Sequence, residues 1–124
     1  PVPVGNAALQ TVGVATVIKD HSSRPLVLHS IGDGGTQEGE FLEACAEAVR
    51  LQLPLLFLIQ DNHLAISTTT KGQTFYSRPD GEAESFYGMP NHRIDGRNVV
   101  TAWPQMQQVE ATIREKRARM ARTR

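Results

Sequence analysis

Leu26-Val27-Leu28-His29-Ser30-Ile31-Gly32-Asp33-Gly34-Gly35 and, further on, Leu55-Leu56-Phe57-Leu58-Ile59-Gln60-Asp61-Asn62 are the two stretches that decide the fold. Each is a short apolar run of strand length that ends in a polar group. An acid closes the first and an amide closes the second. Between them, residues 36–51 favour a helix: alanines at 44, 46 and 48 raise propensity, and Glu38, Glu40 and Glu43 sit in or near the first turns. A strand, a helix and a second strand form a parallel pair whose carboxyl ends share one sheet edge. Asp33 and Asn62 are therefore expected at that edge, beside a glycine turn and a helix start.

Working outward, Gly5 to Lys19 reads as a helix, although its valines also suit a strand. Phe41, Cys45, Ala48 and Val49 are expected on the buried face of the second helix. Pro54 opens the second strand, a position proline tolerates. Residues 63–78, rich in serine, threonine and glycine, read as a long loop. Pro79 to Tyr87 reads as a short helix stopped by Gly88 and Pro90, and Asn91-His92-Arg93-Ile94 as a weak third strand. Asp95-Gly96 is a turn, and Val99 onward a final helix despite Pro104. The expectation is an α/β domain: a parallel sheet with helices on both faces.

Composition sets wide bounds. The chain has 124 residues, enough for one domain with a core, and 13 basic side chains balance 13 acidic ones. That balance argues against a general polyanion binder. A single cysteine, Cys45, excludes an internal disulfide and fits a reducing, cytoplasmic compartment. No run reads as a signal peptide or a membrane span, so neither nucleic acid nor membrane is expected as a partner. The chain starts at Pro1 without a methionine and is expected to be a fragment or a processed product.

The central motif has a definite chemistry. Gly34 and Gly35 let the backbone approach an anion closely, and the first N–H groups of the following helix lack intrahelical acceptors. Together they suit a diphosphate. Its counter-ion Mg²⁺ takes hard oxygen ligands. Asp33 offers a carboxylate, Asn62 an amide oxygen that adds no second negative charge, and a carbonyl just after Asn62 a third donor. Gly-Asp-Gly alone would read equally well as a turn that ends a strand.

A longer text narrows the reading. Gly32-Asp33-Gly34 followed by Asn62 resembles the thiamine diphosphate motif. Gly32-Asp33-Gly34-Gly35-Thr36-Gln37-Glu38-Gly39-Glu40-Phe41-Leu42-Glu43-Ala44 resembles the alpha subunit of 2-oxo acid dehydrogenases. So do Leu53-Pro54-Leu55-Leu56-Phe57-Leu58, Asp61-Asn62-His63-Leu64-Ala65-Ile66-Ser67-Thr68, Tyr87-Gly88-Met89-Pro90 and Arg93-Ile94-Asp95-Gly96-Arg97-Asn98-Val99. The Ala-Ile-Ser-Thr stretch leans toward the branched-chain type.

The resemblance implies a truncated thiamine diphosphate-binding fold spanning residues 1–124 and specific roles within it. Asp33, the Asn62 side chain and the Leu64 carbonyl would hold Mg²⁺. Gly34 and Gly35 would contact the diphosphate, and Val4 would lie near the cofactor's rings. A tyrosine often stands at Leu64 in the family, which matters little for a main-chain ligand. Gln60 stands where some members carry a phosphate-binding arginine. The partners implied are a beta subunit or beta-like domain, a lipoyl acyltransferase component and a 2-oxo acid, within an assembly of two alpha and two beta regions. The family's catalytic histidines lie beyond Arg124, so no catalytic residue is assigned here, and the chain alone is expected to decarboxylate negligibly. The resemblance also implies that the alpha subunit's usual N-terminal region is absent here, including its potassium-site residues around Pro1 to Ala7. Acetoin dehydrogenase-like or transketolase-like enzymes, and a non-catalytic assembly module, are the alternatives.

Other reactive residues read as structural. His63 is a solvated loop residue, His29 a packed strand residue, and Cys45 a small core residue. His21 and His92 show no partner in sequence, and the four histidines lack metal-ligand spacing. Ser67 to Thr70 reads as loop bordering the cofactor. The basic tail from Arg114 to Arg124 reads as a solvated helix end.

Overall fold

The computed structural model describes residues 3–122, with the side chains of 121 and 122 excepted. Pro1, Val2, Thr123 and Arg124, on which readings of the two termini partly rest, lie outside the described residues. The chain divides after Asn91 into two compact units.

The first unit is built on two helices and one parallel strand pair. α1 spans Asn6–Ile18 and follows Gly5, whose φ of 90° favours glycine. The Thr11 and Thr16 hydroxyls donate to the carbonyls four residues back, so these polar side chains cost the helix little. Ala8, Val12 and Ala15 form its buried stripe at helical spacing. α2 spans Gly39–Arg50 and buries Phe41, Ala44, Cys45 and Ala48. Small residues on both faces let α1 and α2 pack directly. Two polar ties fix their ends: Asn6 Nδ2 donates to Glu40 Oε2 at 3.3 Å, and Lys19 Nζ donates to the Leu51 carbonyl.

α2 ends in a tight cap. Leu53 N–H donates to Ala48 O and Gln52 N–H to Val49 O, with Gln52 itself at φ 53°. That is a Schellman arrangement whose left-handed position suits glycine. Gln52→Gly is therefore expected to raise stability by about 1 kcal/mol, read as a higher urea midpoint with an unchanged slope. A lower midpoint would show that the Gln52 side chain contributes more than its backbone costs.

β1 (Val27–Gly32) pairs in parallel with β2 (Leu55–Gln60), in a register running from Val27 opposite Leu55 to Gly32 opposite Gln60. His29 and Ile31 face the helices and are buried, whereas Leu28 on the other face is 59 % exposed. Within this unit α1 and α2 pack on one face of the pair. The core gathers on Phe41, which is 0 % exposed and meets the Phe57 ring edge-on at 5.2 Å.

Three expectations are corrected. The helix expected over 36–51 is two pieces: a 3-10 turn at Gly34–Gln37, then α2, separated by Glu38 in an extended conformation. The Thr36 hydroxyl and N–H both turn back to the Asp33 carbonyl, which closes the turn before an α-helix can start. Pro79 to Tyr87 is not helical. It lies within two of three short antiparallel hairpins: β3 (Leu64–Ala65) with β4 (Thr68–Thr69), β5 (Ser77–Arg78) with β6 (Gly81–Glu82), and β7 (Ser85–Phe86) with β8 (Met89–Pro90). Tyr87 and Gly88 both take positive φ, the two-residue hairpin geometry, and Phe86 stacks against Phe75 with ring centres 4.2 Å apart. The acids after Pro79 imitate a helix start, but Pro-Asp-Gly is turn chemistry, and aromatic packing holds the segment extended. Residues 91–94 form no strand among the described residues; Asn91 instead bonds Glu84 and Ala83 carbonyls.

In the second unit, Asp95 accepts the Arg97 N–H and guanidinium, which hold its carboxyl down to about 2. Asn98 Oδ1 then accepts the Val100 N–H at the start of α3 (Val99–Arg122). Pro104 lies inside α3, as its sixth residue: Ala102 N–H already bonds the Asn98 carbonyl, so the proline leaves the Val100 carbonyl without the N–H that a residue at 104 would give. Arg114–Glu110 and Arg119–Glu115 pairs line its solvated surface at i,i+4 spacing. No helix of the described residues is long and apolar enough to cross a membrane.

Candidate functional site

The parallel register places the ends of β1 and β2 level, so Asp33 and Asp61 leave the pair side by side and Asn62 follows. Asp33 is 3 % exposed, unusual for a carboxylate. Its Oδ2 accepts the Thr70 hydroxyl at 2.5 Å. Its carbonyl accepts the Thr36 hydroxyl at 2.6 Å. Thr36, Thr70, Thr74 and Tyr76 are all buried, a polar group of one carboxylate and four hydroxyls. Burial pushes the Tyr76 phenol up to about 12, reinforced by the Asp61 and Asp33 carboxylates and only partly offset by the nearby Thr74 and Thr36 hydroxyls. Tyr76 thus stays neutral beside the acids.

The second donor set follows β2. Asp61 Oδ1 accepts the His63 N–H at 2.8 Å, and Asn62 Oδ1 accepts the Leu64 N–H at 3.0 Å. His63 takes φ 64° and its ring is exposed, as read for a solvated loop residue. Leu64 enters the β3–β4 hairpin, whose turn carries Ile66 at φ 58° and fully exposed. This hairpin lies against the glycine turn. A Cβ on Gly34 would fall 2.6 Å from the Ala65 Cβ, and one on Gly35 would fall 2.9 Å from both Ile31 Cγ1 and Val4 Cγ1. Both glycines are thus required by close packing. Val4 is brought to Gly35, where it remains more than half exposed. Gln60 does not extend freely from its strand: its amide donates to Ser30 Oγ at 3.0 Å.

The structure moves the expected anion cradle. Asp33 and the glycines precede a four-residue 3-10 turn, and the α2 N-terminus comes only after Glu38. The α2 dipole is therefore not aimed from Gly34 and Gly35; the backbone N–H groups of the tight turn are what those residues offer. The donor chemistry fits one Mg²⁺ with a diphosphate: a single carboxylate, an amide and a carbonyl, all oxygen. Among the described residues no three His, Cys, Asp or Glu side chains cluster to hold a metal, so any cation here relies on that mixed set.

Sequence reasoning missed the part played by Thr36 and Tyr76. The run Ser67 to Thr70 was placed beside the site, yet nothing in it distinguished Thr70, which the hairpin alone turns onto Asp33. His29 and Cys45 belong to the core. His29 Nδ1 lies 3.1 Å from Thr11 Oγ1, its Nε2 is buried with no partner among the described residues, and burial lowers its pKa. Burial pushes the Cys45 thiol up to about 12. For Cys45 and Tyr76 the folded state keeps a proton that the unfolded chain loses first. Stability is therefore expected to be lost as pH rises from about 9 toward 12, by about 1.4 kcal/mol per pH unit per group. Urea midpoints measured across that range check this; a flat profile contradicts it.

The sequence model of the family described as "Dehydrogenase E1 component" matches residues 2–115. A 3-methyl-2-oxobutanoate dehydrogenase subunit alpha of Mycobacterium tuberculosis is 33 % identical over 113 residues, 91 % of this chain and 30 % of the relative. A pyruvate dehydrogenase E1 component subunit alpha of Staphylococcus aureus is 31 % identical over 100 residues, 81 % of this chain and 27 % of the relative. The chain spans under a third of the length of these relatives.

Proposed function

The chain belongs to the dehydrogenase E1 component family, and from that premise we propose that it is the diphosphate- and Mg²⁺-binding part of a thiamine diphosphate-dependent 2-oxo acid dehydrogenase. The observation that carries this reading is the buried Asp33 carboxylate at the end of β1, level with the Asn62 turn that follows β2. In this reading Asp33, Asn62 and the Leu64 carbonyl hold Mg²⁺, Gly34 and Gly35 meet the diphosphate through their backbone, and Val4 borders the rings. The bound cofactor supplies an electron sink for cleaving the bond next to the carbonyl of a 2-oxo acid. This chain's residues bind and orient: Asp33 neutralises charge, Tyr76 stays protonated beside it, and the packed glycines fix the backbone.

The wider reading is a parallel sheet with helices on both faces, of which β1 and β2 are part. The outward Leu28 supports it, because parallel strands are usually apolar and covered on both faces. The beta subunit or beta-like domain, the lipoyl acyltransferase component and a cytoplasmic setting belong to the same proposal. Relatives named for a branched and an unbranched 2-oxo acid are almost equally similar, so the substrate is given as the 2-oxo acid class.

Calorimetric titration of the chain with thiamine diphosphate, with and without Mg²⁺, tests this. Binding that requires Mg²⁺ is expected. Equal binding in the presence of a chelator removes the metal from the proposal, and no binding in either condition removes the cofactor site.

A further inference from the structure

Thr70 uses its hydroxyl and its N–H to join two loops. Its hydroxyl donates to Asp33 Oδ2, on the loop after β1. Its N–H donates to the His63 carbonyl at 3.1 Å, on the loop after β2. Its carbonyl accepts the Gln73 N–H at 2.9 Å. It stands directly after β4, so the β3–β4 hairpin leaves from His63 and returns through Thr70. Thr70 is 7 % exposed and Asp33 is 3 % exposed, so this clip is built largely out of solvent. The glycine turn seals the same junction, with Gly34 against Ala65.

We propose that Thr70 is a positioning residue for the metal: it orients the Asp33 carboxylate and, through His63, sets the spacing between Asp33 and the Asn62 and Leu64 donors. This rests on the Mg²⁺ reading above. A hydroxyl on Oδ2 fixes the carboxylate's rotation and leaves Oδ1 as the oxygen to meet a cation. Such outer partners orient metal ligands, and their loss typically weakens metal affinity about 10–100-fold. No other side-chain donor to the Asp33 carboxylate is seen among the described residues.

The test uses Thr70→Val, which keeps the branched shape and removes the hydroxyl, and Thr70→Ser, which keeps the hydroxyl. Mn²⁺ affinity of the chain is read in thiamine diphosphate by the paramagnetic resonance of free Mn²⁺, at a temperature where each variant is folded by circular dichroism. The Thr70→Val Kd is expected to rise about tenfold or more, and the Thr70→Ser Kd to stay within about threefold. A Thr70→Val variant that melts earlier but binds Mn²⁺ normally makes Thr70 merely structural and overturns the proposal. Equal losses in both variants overturn it too. Asp33→Asn separates the two levels: if it binds Mn²⁺ as the unsubstituted chain does, the metal reading falls, whereas loss there with normal Thr70→Val removes only the positioning role. No Mn²⁺ binding by the unsubstituted chain overturns both.

Discussion

Asp33→Ala is expected to remove the Mg²⁺-dependent part of thiamine diphosphate binding, weakening it by more than about a hundredfold. Loss of an outer partner alone reaches that figure, and Asp33 would itself be a ligand. It is also the one carboxylate in the proposed donor set, so without it the amide and carbonyl carry no charge to offset Mg²⁺. The substitution has a structural cost as well. It strands the buried Thr70 hydroxyl without its acceptor, which costs about 1–3 kcal/mol. Asp33→Asn separates the effects, because an amide oxygen still accepts from Thr70 while the charge is gone. The expected result is metal-dependent binding lost in both variants, with stability nearer normal in Asp33→Asn. Titration heats beside thermal melts read the two quantities; binding that survives Asp33→Asn would remove Asp33 from the metal site.

Phe41→Ala is expected to be the most damaging core substitution, costing about 3–5 kcal/mol. Phe41 is the largest fully buried side chain, and its ring lies between α2 and the strand pair, against His29, Phe57 and Phe75. Domains of this size have only about 5–15 kcal/mol of stability, so the variant sits near its unfolding limit. Phe41→Leu, which leaves a smaller void, should lose clearly less. Urea unfolding measures both. A loss under about 1 kcal/mol in Phe41→Ala would mean that neighbouring rings close over the void, and that the core does not depend on this residue.

Elements with strong local patterns were legible in the sequence. The two strands follow from apolar runs of strand length, and the α2 face with Phe41, Cys45 and Ala48 from helical spacing, with Val49 of the same expected face only partly buried; the final helix is present as read. Cys45, mid-helix among alanines, and His29, inside a strand, could be placed in the core from their positions in these elements. The hairpins between 64 and 90 were not legible. Each strand there is two residues long, too short for any period; backbone bonds such as Ala83 N–H to Tyr76 O hold the hairpins, and the Phe86 ring packs on Phe75. The 3-10 turn was hidden because Thr36 and Gln37 are compatible with a helix; only the two hydrogen bonds from Thr36 to the Asp33 carbonyl show why the helix waits until Gly39.

The sequence by itself determined which groups stand at the ends of the two strands: an acid after β1 and an amide after β2. A parallel pair joined by a helix must bring such ends to one edge, so that much is local pattern plus chain connectivity. Only the tertiary structure decided how Asp33 is held. Its burial, its bond to Thr70, and the contact of Gly34 with Ala65 depend on a hairpin folding back across the strand ends, and that return is set by packing between residues far apart in the chain.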